Sequence, residues 1–193
     1  MEVTLTMTTN EEYISDNSKI CYATKNKKNI TYNLVHGNGH LAVLRFAYAT
    51  VNIKDISIAC QNQIVRSKHL DFLVESKRYV NADKGDFKFI YPKNINEEQK
   101  IYMKTIWETL INSYNTLIKN GVKKEDARAV LPMNTSTSMN ITGNLQSWWD
   151  FFKLRLNNHA QLEVREVASK IFDLLQKEFP NVFTPSLKLE LSN

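Results

Sequence analysis

Cysteine is almost missing from this sequence, with Cys21 and Cys60 the two it holds. They are too few for a disulfide framework and lack the close spacing of a zinc or redox pair, so a reducing compartment and no metal site are expected. Glycine and proline are scarce as well, at 5 and 4 of 193 residues. None of the patterns GxGxxG, GxxxxGK[ST], HExxH or GxSxG occurs, which removes the support for dinucleotide-fold, P-loop and hydrolase-elbow readings. Also absent are an apolar run long enough to cross a bilayer and, at Met1-Glu2-Val3-Thr4, a basic segment leading into an apolar one. A soluble, cytoplasmic protein with no membrane partner is expected, in the host cytoplasm if the chain is viral, which its composition would suit. The net charge of +5 favours anionic partners in general. No basic helix interleaved with aromatics accompanies it, so a nucleic-acid partner is not expected.

What the sequence does contain is enough apolar material for a core. Hydrophobic residues make up 42% and aromatics 10%, and no repeat or long linker interrupts the chain, so residues 1–193 are expected to form a single domain. Thr9 or Asn10 should cap a helix with Glu11 and Glu12 in its first turn and Tyr13, Ile14 and Ile20 as apolar positions, ending near Tyr22. The alternation from Arg45 to Ile53 predicts a strand, and Asp55 a helix start with Ile56, Ala59, Cys60, Gln63 and Ile64 on one face. Cys60 reads as a core residue. A second strand is predicted from Asp86 to Tyr91, stopped by Pro92. The longest helix should run from an Asn96 cap to Gly121, with Met103, Ile106, Leu110, Tyr114 and Leu117 facing inward. Short loops are expected at 25–29 and 81–86, and a short helix or turn from Glu125 to Val130. A polar β segment over Thr135–Thr142 then leads into a helix opened by Asn144, with Leu145, Trp148, Trp149 and Phe152 inward. An amphipathic helix from Gln161 to Phe179 ends at Pro180. The fold class that follows is α+β, with a twisted, mainly antiparallel sheet flanked by helices.

Polar residues collect at the ends of these elements: Gln63 and Arg66 after one helix, Ser76 and Arg78 just beyond, Arg128 before Leu131-Pro132, and Arg155 with His159. A planar guanidinium suits bidentate binding of phosphate, and several converging would make an anion pocket. The run Asp126-Ala-Arg-Ala-Val-Leu-Pro132, the Thr142-Gly-Asn144 turn, the Leu154-Arg155 pair and His159-Ala-Gln161 with Glu163 resemble, in order and spacing, the C-terminal half of flavin-dependent thymidylate synthases. Upstream, Gly39-His40 falls where that family has its GH element. The stretch from Gln63-Ile-Val-Arg66 to Ser76-Lys-Arg78 falls on its signature R-H-R-x-x-S-x-N-E-x-S-x-R.

The resemblance implies that Gln63, Arg66, Ser76, Arg78 and Arg128 bind the phosphate and sugar of dUMP. It implies that Arg155 contacts the pyrimidine and, as the catalytic residue, stabilises charge on the ring as a hydride arrives at C6. His40, Asn144 and His159 resemble flavin contacts, and Ser67 and Lys68 occupy the positions of two more. FAD, NADPH and methylene-tetrahydrofolate are the implied cofactors and carbon donor, and a homotetramer with sites between subunits the implied assembly. The flavin carries the hard chemistry in such a reaction, so no protein nucleophile is needed. Departures concentrate in the signature: Ser67 stands for its His, Lys68 for its second Arg, Asp71 for its first Ser and Leu73-Val74 for its Asn-Glu. Gln146 and Asp150 replace a frequent Arg and Asn, and Leu41 to Phe46 lacks the usual Ser and Glu-His pair. These changes leave two alternatives open. One is a folate-dependent 5-hydroxymethylation of dUMP or dCMP, with Asp71 positioning water or a cytosine amino group; the other is a non-catalytic nucleotide-binding homologue.

Overall fold

The computed structural model describes residues 1–22, 30–79 and 87–193. The loops predicted at 25–29 and 81–86, together with Asp86, lie outside the described residues. Four antiparallel strands form one sheet in the order β1-β2-β4-β3: β1 (Glu2–Thr8), β2 (Tyr48–Ser57), β3 (Asp71–Val74) and β4 (Ser136–Asn144). The α+β class expected from the sequence is the one observed. Along β2, Ala49, Val51 and Ile53 are fully buried, while Thr50 and Asn52 face the other way. There Thr50 and Thr142 hydroxyls lie 2.8 Å apart and the Asn52 amide donates to Asn140 at 2.7 Å. This alternation is the period of two that a pleated strand imposes.

The helices are α1 (Glu11–Tyr22), α2 (Ile58–Ile64), α3 (Glu97–Lys119), α4 (Lys124–Ala127), α5 (Leu145–Arg155), α6 (Leu162–Glu178) and α7 (Pro185–Ser192). Most of their starts follow capping chemistry, although α4 and α6 begin without a side-chain cap. Asn10 accepts from the Tyr13 amide at 2.9 Å, Asn96 forms a reciprocal capping box with Gln99, and Asn144 accepts from the Ser147 amide. Helices α5 and α6 build the centre of the core, where Trp148, Phe151, Phe152, Phe172 and Phe183 pack edge to face. Burying each such ring contributes about 1.5–3 kcal/mol. A second cluster gathers Phe87, Tyr114 and Ala127 under the C-terminal half of α3.

Several element boundaries differ from expectation. The strand predicted to begin at Arg45 begins at Tyr48, because Leu41–Phe46 closes into a 3-10 helix. Asp55 does not start a helix. It adopts a left-handed φ of 57° in a bulge between Ile53 and Ile56, the strand continues, and Ser57 caps α2 instead. The segment predicted as a strand before Pro92 makes a single bridge, Phe89 to Thr135. Strands β1 and β3 and helix α7 were not predicted. Ile20, assigned to the apolar face of α1, is 86% exposed, and of the α3 stripe Tyr114 is buried while Ile106 is exposed.

Candidate functional site

Helix α2 is the element around which the predicted residues are arranged. Ser57, fully buried, accepts from the Cys60 amide at 2.9 Å to start it. At its other end lies Gln63, with Arg66 just beyond. Helix α5 ends beside it at Arg155, whose Nη2 donates to the Gln63 carbonyl at 2.6 Å. Among the described residues neither Arg66 nor Arg155 makes a salt bridge. Burial pushes the Arg155 guanidinium down from its ordinary value and the neighbouring Arg66 charge pushes it further, with Cys60 acting the other way. Arg155 nonetheless remains a cation at neutral pH. The Arg155 Nε is buried without a partner among the described residues, a donor with unfilled capacity beside the like charge of Arg66. A depression of about 550 Å³ opens here, lined by Gln63, Lys153, Arg155, Asn157, His159 and Gln161.

The remaining substrate-binding candidates sit elsewhere. Ser76 and Arg128 line a cavity of about 270 Å³ with Gln61, Glu75, Lys77 and Thr137. Arg78 lies 3.0 Å from the Glu125 carboxylate, and the Arg128 Nε donates to the Glu125 carbonyl at 3.0 Å, so one residue of α4 steadies both arginines. Lys77 is buried, pairs with Glu75 and lies over the Phe87 ring at 4.9 Å. The Thr137 hydroxyl is buried without a partner. Gln61 belongs to this cavity and Gln63 to the first, so α2 stands between the two groups.

Of the residues assigned to the flavin, His159 lines the first depression. Ser67 and Lys68 lie on the loop after α2, Ser67 with a buried, unpartnered hydroxyl and Lys68 exposed. That loop presses on the end of β4: a Cβ on Gly143 would meet Leu70 Cδ2 at 2.5 Å and the His69 carbonyl at 3.3 Å. Glycine is therefore what lets the loop sit next to Asn144. The Asn144 side-chain oxygen is itself engaged by the Ser147 amide and hydroxyl. His40 opens the 3-10 helix, exposed, and lines neither cavity. Asp71 is exposed in β3, opposite Thr142.

The sequence reading did not single out Gln61, Lys77, Asn157 or Thr137. A hydroxyl-rich strand such as Ser136-Thr-Ser138 was the available signal for Thr137, but which alternate side chain turns inward depends on the register with β2. A larger cavity of about 660 Å³, beside Phe89, Tyr91, Pro92 and the start of α6, contains none of the predicted residues. Cys60 is fully buried, as predicted; burial pushes its thiol far up, with the Glu163 charge adding to the effect, so it remains protonated.

A family model described as "Thymidylate synthase complementing protein" matches residues 2–181. The chain is 34% identical to a flavin-dependent thymidylate synthase of Pyrococcus furiosus over 145 residues, covering 73% of this chain and 59% of that protein. It is 32% identical to one of Corynebacterium efficiens over 162 residues, covering 75% and 64%. It is 31% identical to one of Saccharolobus solfataricus over 146 residues, covering 76% and 56%. The chain thus spans less than two thirds of the length of the relatives it matches.

Proposed function

The chain belongs to the thymidylate synthase complementing protein family, and from that premise we propose that it makes thymidylate by reductive methylation of dUMP. Methylene-tetrahydrofolate is the carbon donor, NADPH the reductant and FAD the cofactor. The observation that carries this reading is the meeting of Gln63, Arg155 and His159 around one depression at the end of α2, with Arg66 near enough for its charge to act on Arg155 and neither cation paired with a carboxylate among the described residues. An anionic nucleotide supplies the missing charge. In this reading residues 1–193 act as one domain.

Each group then has a task. Arg155, held by the Gln63 carbonyl and keeping a free Nε, faces the pyrimidine and stabilises negative charge on the ring as it develops. Gln63 and Arg66 orient the nucleotide beside it. Ser76, Arg78 and Arg128 grip the phosphate and sugar from a second copy, which fits their separation from the first group across α2 and the homotetramer we propose. His159, Asn144, Ser67, Lys68 and His40 hold the flavin, and the buried, unpartnered Ser67 hydroxyl beside the cationic Lys68 suits a carbonyl- and phosphate-bearing cofactor. FAD held by these residues would supply the redox chemistry that the protein's own side chains lack.

An absorbance titration tests the reading. Purified protein receives FAD, then dUMP, then in a separate cell dCMP, while calorimetry follows nucleotide binding. Flavin absorbance that co-purifies or binds, and changes with dUMP, is the expected result. A protein that binds dUMP or dCMP yet ignores FAD would replace methylation with hydroxymethylation, with Asp71 near the base, or with a non-catalytic binder.

A further inference from the structure

Glu163, two residues beyond the His159-Ala-Gln161 run, has no task in the proposed function. It stands in the first turn of α6, where the helix dipole favours a carboxylate. Its two oxygens both face Ser57. One accepts from the Ser57 amide at 2.8 Å and the other from the Ser57 hydroxyl at 2.5 Å. The same Ser57 oxygen accepts from the Cys60 amide, capping α2. Helix α2 is therefore held at both ends by charged side chains from other helices: Glu163 of α6 at its N-cap and Arg155 of α5 at its last turn.

A helix of seven residues has little rigidity of its own. Its direction is set by what grips its ends, and Gln63 and Arg66 go where it points. Removing the Glu163 carboxylate strips a buried hydroxyl and a backbone amide of charge-assisted acceptors at once. Helix α2 is then free to tilt about its remaining attachment, and the Gln63 carbonyl that aims Arg155 moves with it. A small misplacement of groups that orient a ligand is costly, because they act through geometry.

We infer that Glu163 is a positioning residue, which through Ser57 fixes the direction of α2 and so aligns Gln63, Arg66 and Arg155 on the nucleotide. The inference rests on the nucleotide-binding reading above. It is distinct from a plain contribution to stability, because a stabilising contact elsewhere in the core would lower the melting temperature without altering the affinity of molecules that remain folded.

Calorimetric titration of dUMP into the purified protein in the presence of FAD, well below each variant's melting transition, separates the two. Glu163→Ala is expected to weaken dUMP by about tenfold or more, the range of one lost charge-assisted contact. Glu163→Gln keeps an acceptor for the Ser57 amide and offers an N–H to its hydroxyl, so it is expected to stay within about threefold of wild type. Ser57→Ala, which keeps the amide contact and loses the hydroxyl one, is expected to fall between. A Glu163→Ala protein that melts earlier but binds dUMP as wild type does would overturn the inference while leaving the nucleotide reading intact. If Glu163→Ala yields no folded protein, Ser57→Ala decides, and wild-type affinity in that variant overturns the inference equally. Wild-type protein that binds no dUMP sinks the nucleotide reading, and this inference with it.

Discussion

At the scale of single residues, the same atom often serves structure and chemistry, and conservative variants separate the two. The Asn144 side-chain oxygen caps α5 through the Ser147 amide at 2.9 Å and hydroxyl at 3.0 Å, which leaves its amide nitrogen for the flavin contact proposed above. Asn144→Asp keeps the cap and adds a favourable charge at a helix N-terminus, so its stability should match wild type. Asn144→Ala should lose about 1 kcal/mol. Both should bind FAD more weakly, as read by flavin fluorescence; an Asp variant with wild-type FAD affinity would leave Asn144 a cap and nothing more. Glu11 is a different case. One of its carboxylate oxygens is buried without a partner, and burial raises its proton affinity more than the hydrogen bonds from Asn181 lower it. Its folded value lies above its unfolded one, so the folded state holds the proton more tightly and stability declines as pH rises through that window, from near 4 upward. Glu11→Gln should therefore raise the melting temperature at pH 7 and flatten the slope between pH 4 and 7. An unchanged slope would show that the carboxylate is solvated in solution.

At the scale of elements, what was legible in the sequence was what local chemistry decides. Caps at Asn10, Asn96 and Asn144 located three helix starts, and the period of α6 named Val164, Val167, Ile171, Leu174 and Leu175, all buried except the half-buried Leu174. What long-range pairing decides was not legible. Glu2–Thr8 alternates openly, yet it becomes a strand by lying against β2, and Asp71–Val74 does so against β4. Asp55 has the side chain of a helix cap, but the bulge it occupies is stabilised by strand pairing on both sides and by Lys88, whose Nζ lies 2.9 and 3.0 Å from its carboxylate oxygens. The α3 stripe is apolar at the helical period, and a helix of 23 residues reaches beyond the body it packs on, so its outer turns stay exposed. For the candidate site, arginines at element ends were visible in the sequence. Their division across α2, and the grip of Glu163 on that helix, required the packed structure.

At the scale of the whole molecule, that division bears on assembly. One chain offers Gln63 and Arg155 around one cavity, with Arg66 just beyond α2, and Ser76 and Arg128 around another, with α2 between. The exposed Ile101, Tyr102 and Ile106 of α3 and Met133 supply apolar surface of the kind that subunit contacts cover. If each nucleotide site combines the first group of one copy with the second group of another, then Arg155→Ala and Arg128→Ala damage different halves of every site. Each variant alone should bind dUMP poorly. Unfolding and refolding the two together gives mixed assemblies, in which about one quarter of sites pair an intact first half with an intact second half, as random pairing of two chain types requires. Calorimetry on the mixture should then recover wild-type affinity at about that fraction of sites, while light scattering reports a mass four times the 22.4 kDa chain. Sites built within one chain cannot be repaired in this way. A refolded mixture that binds no better than its parents, although its mass shows assembly, would assign both groups to separate tasks and end the shared-site reading.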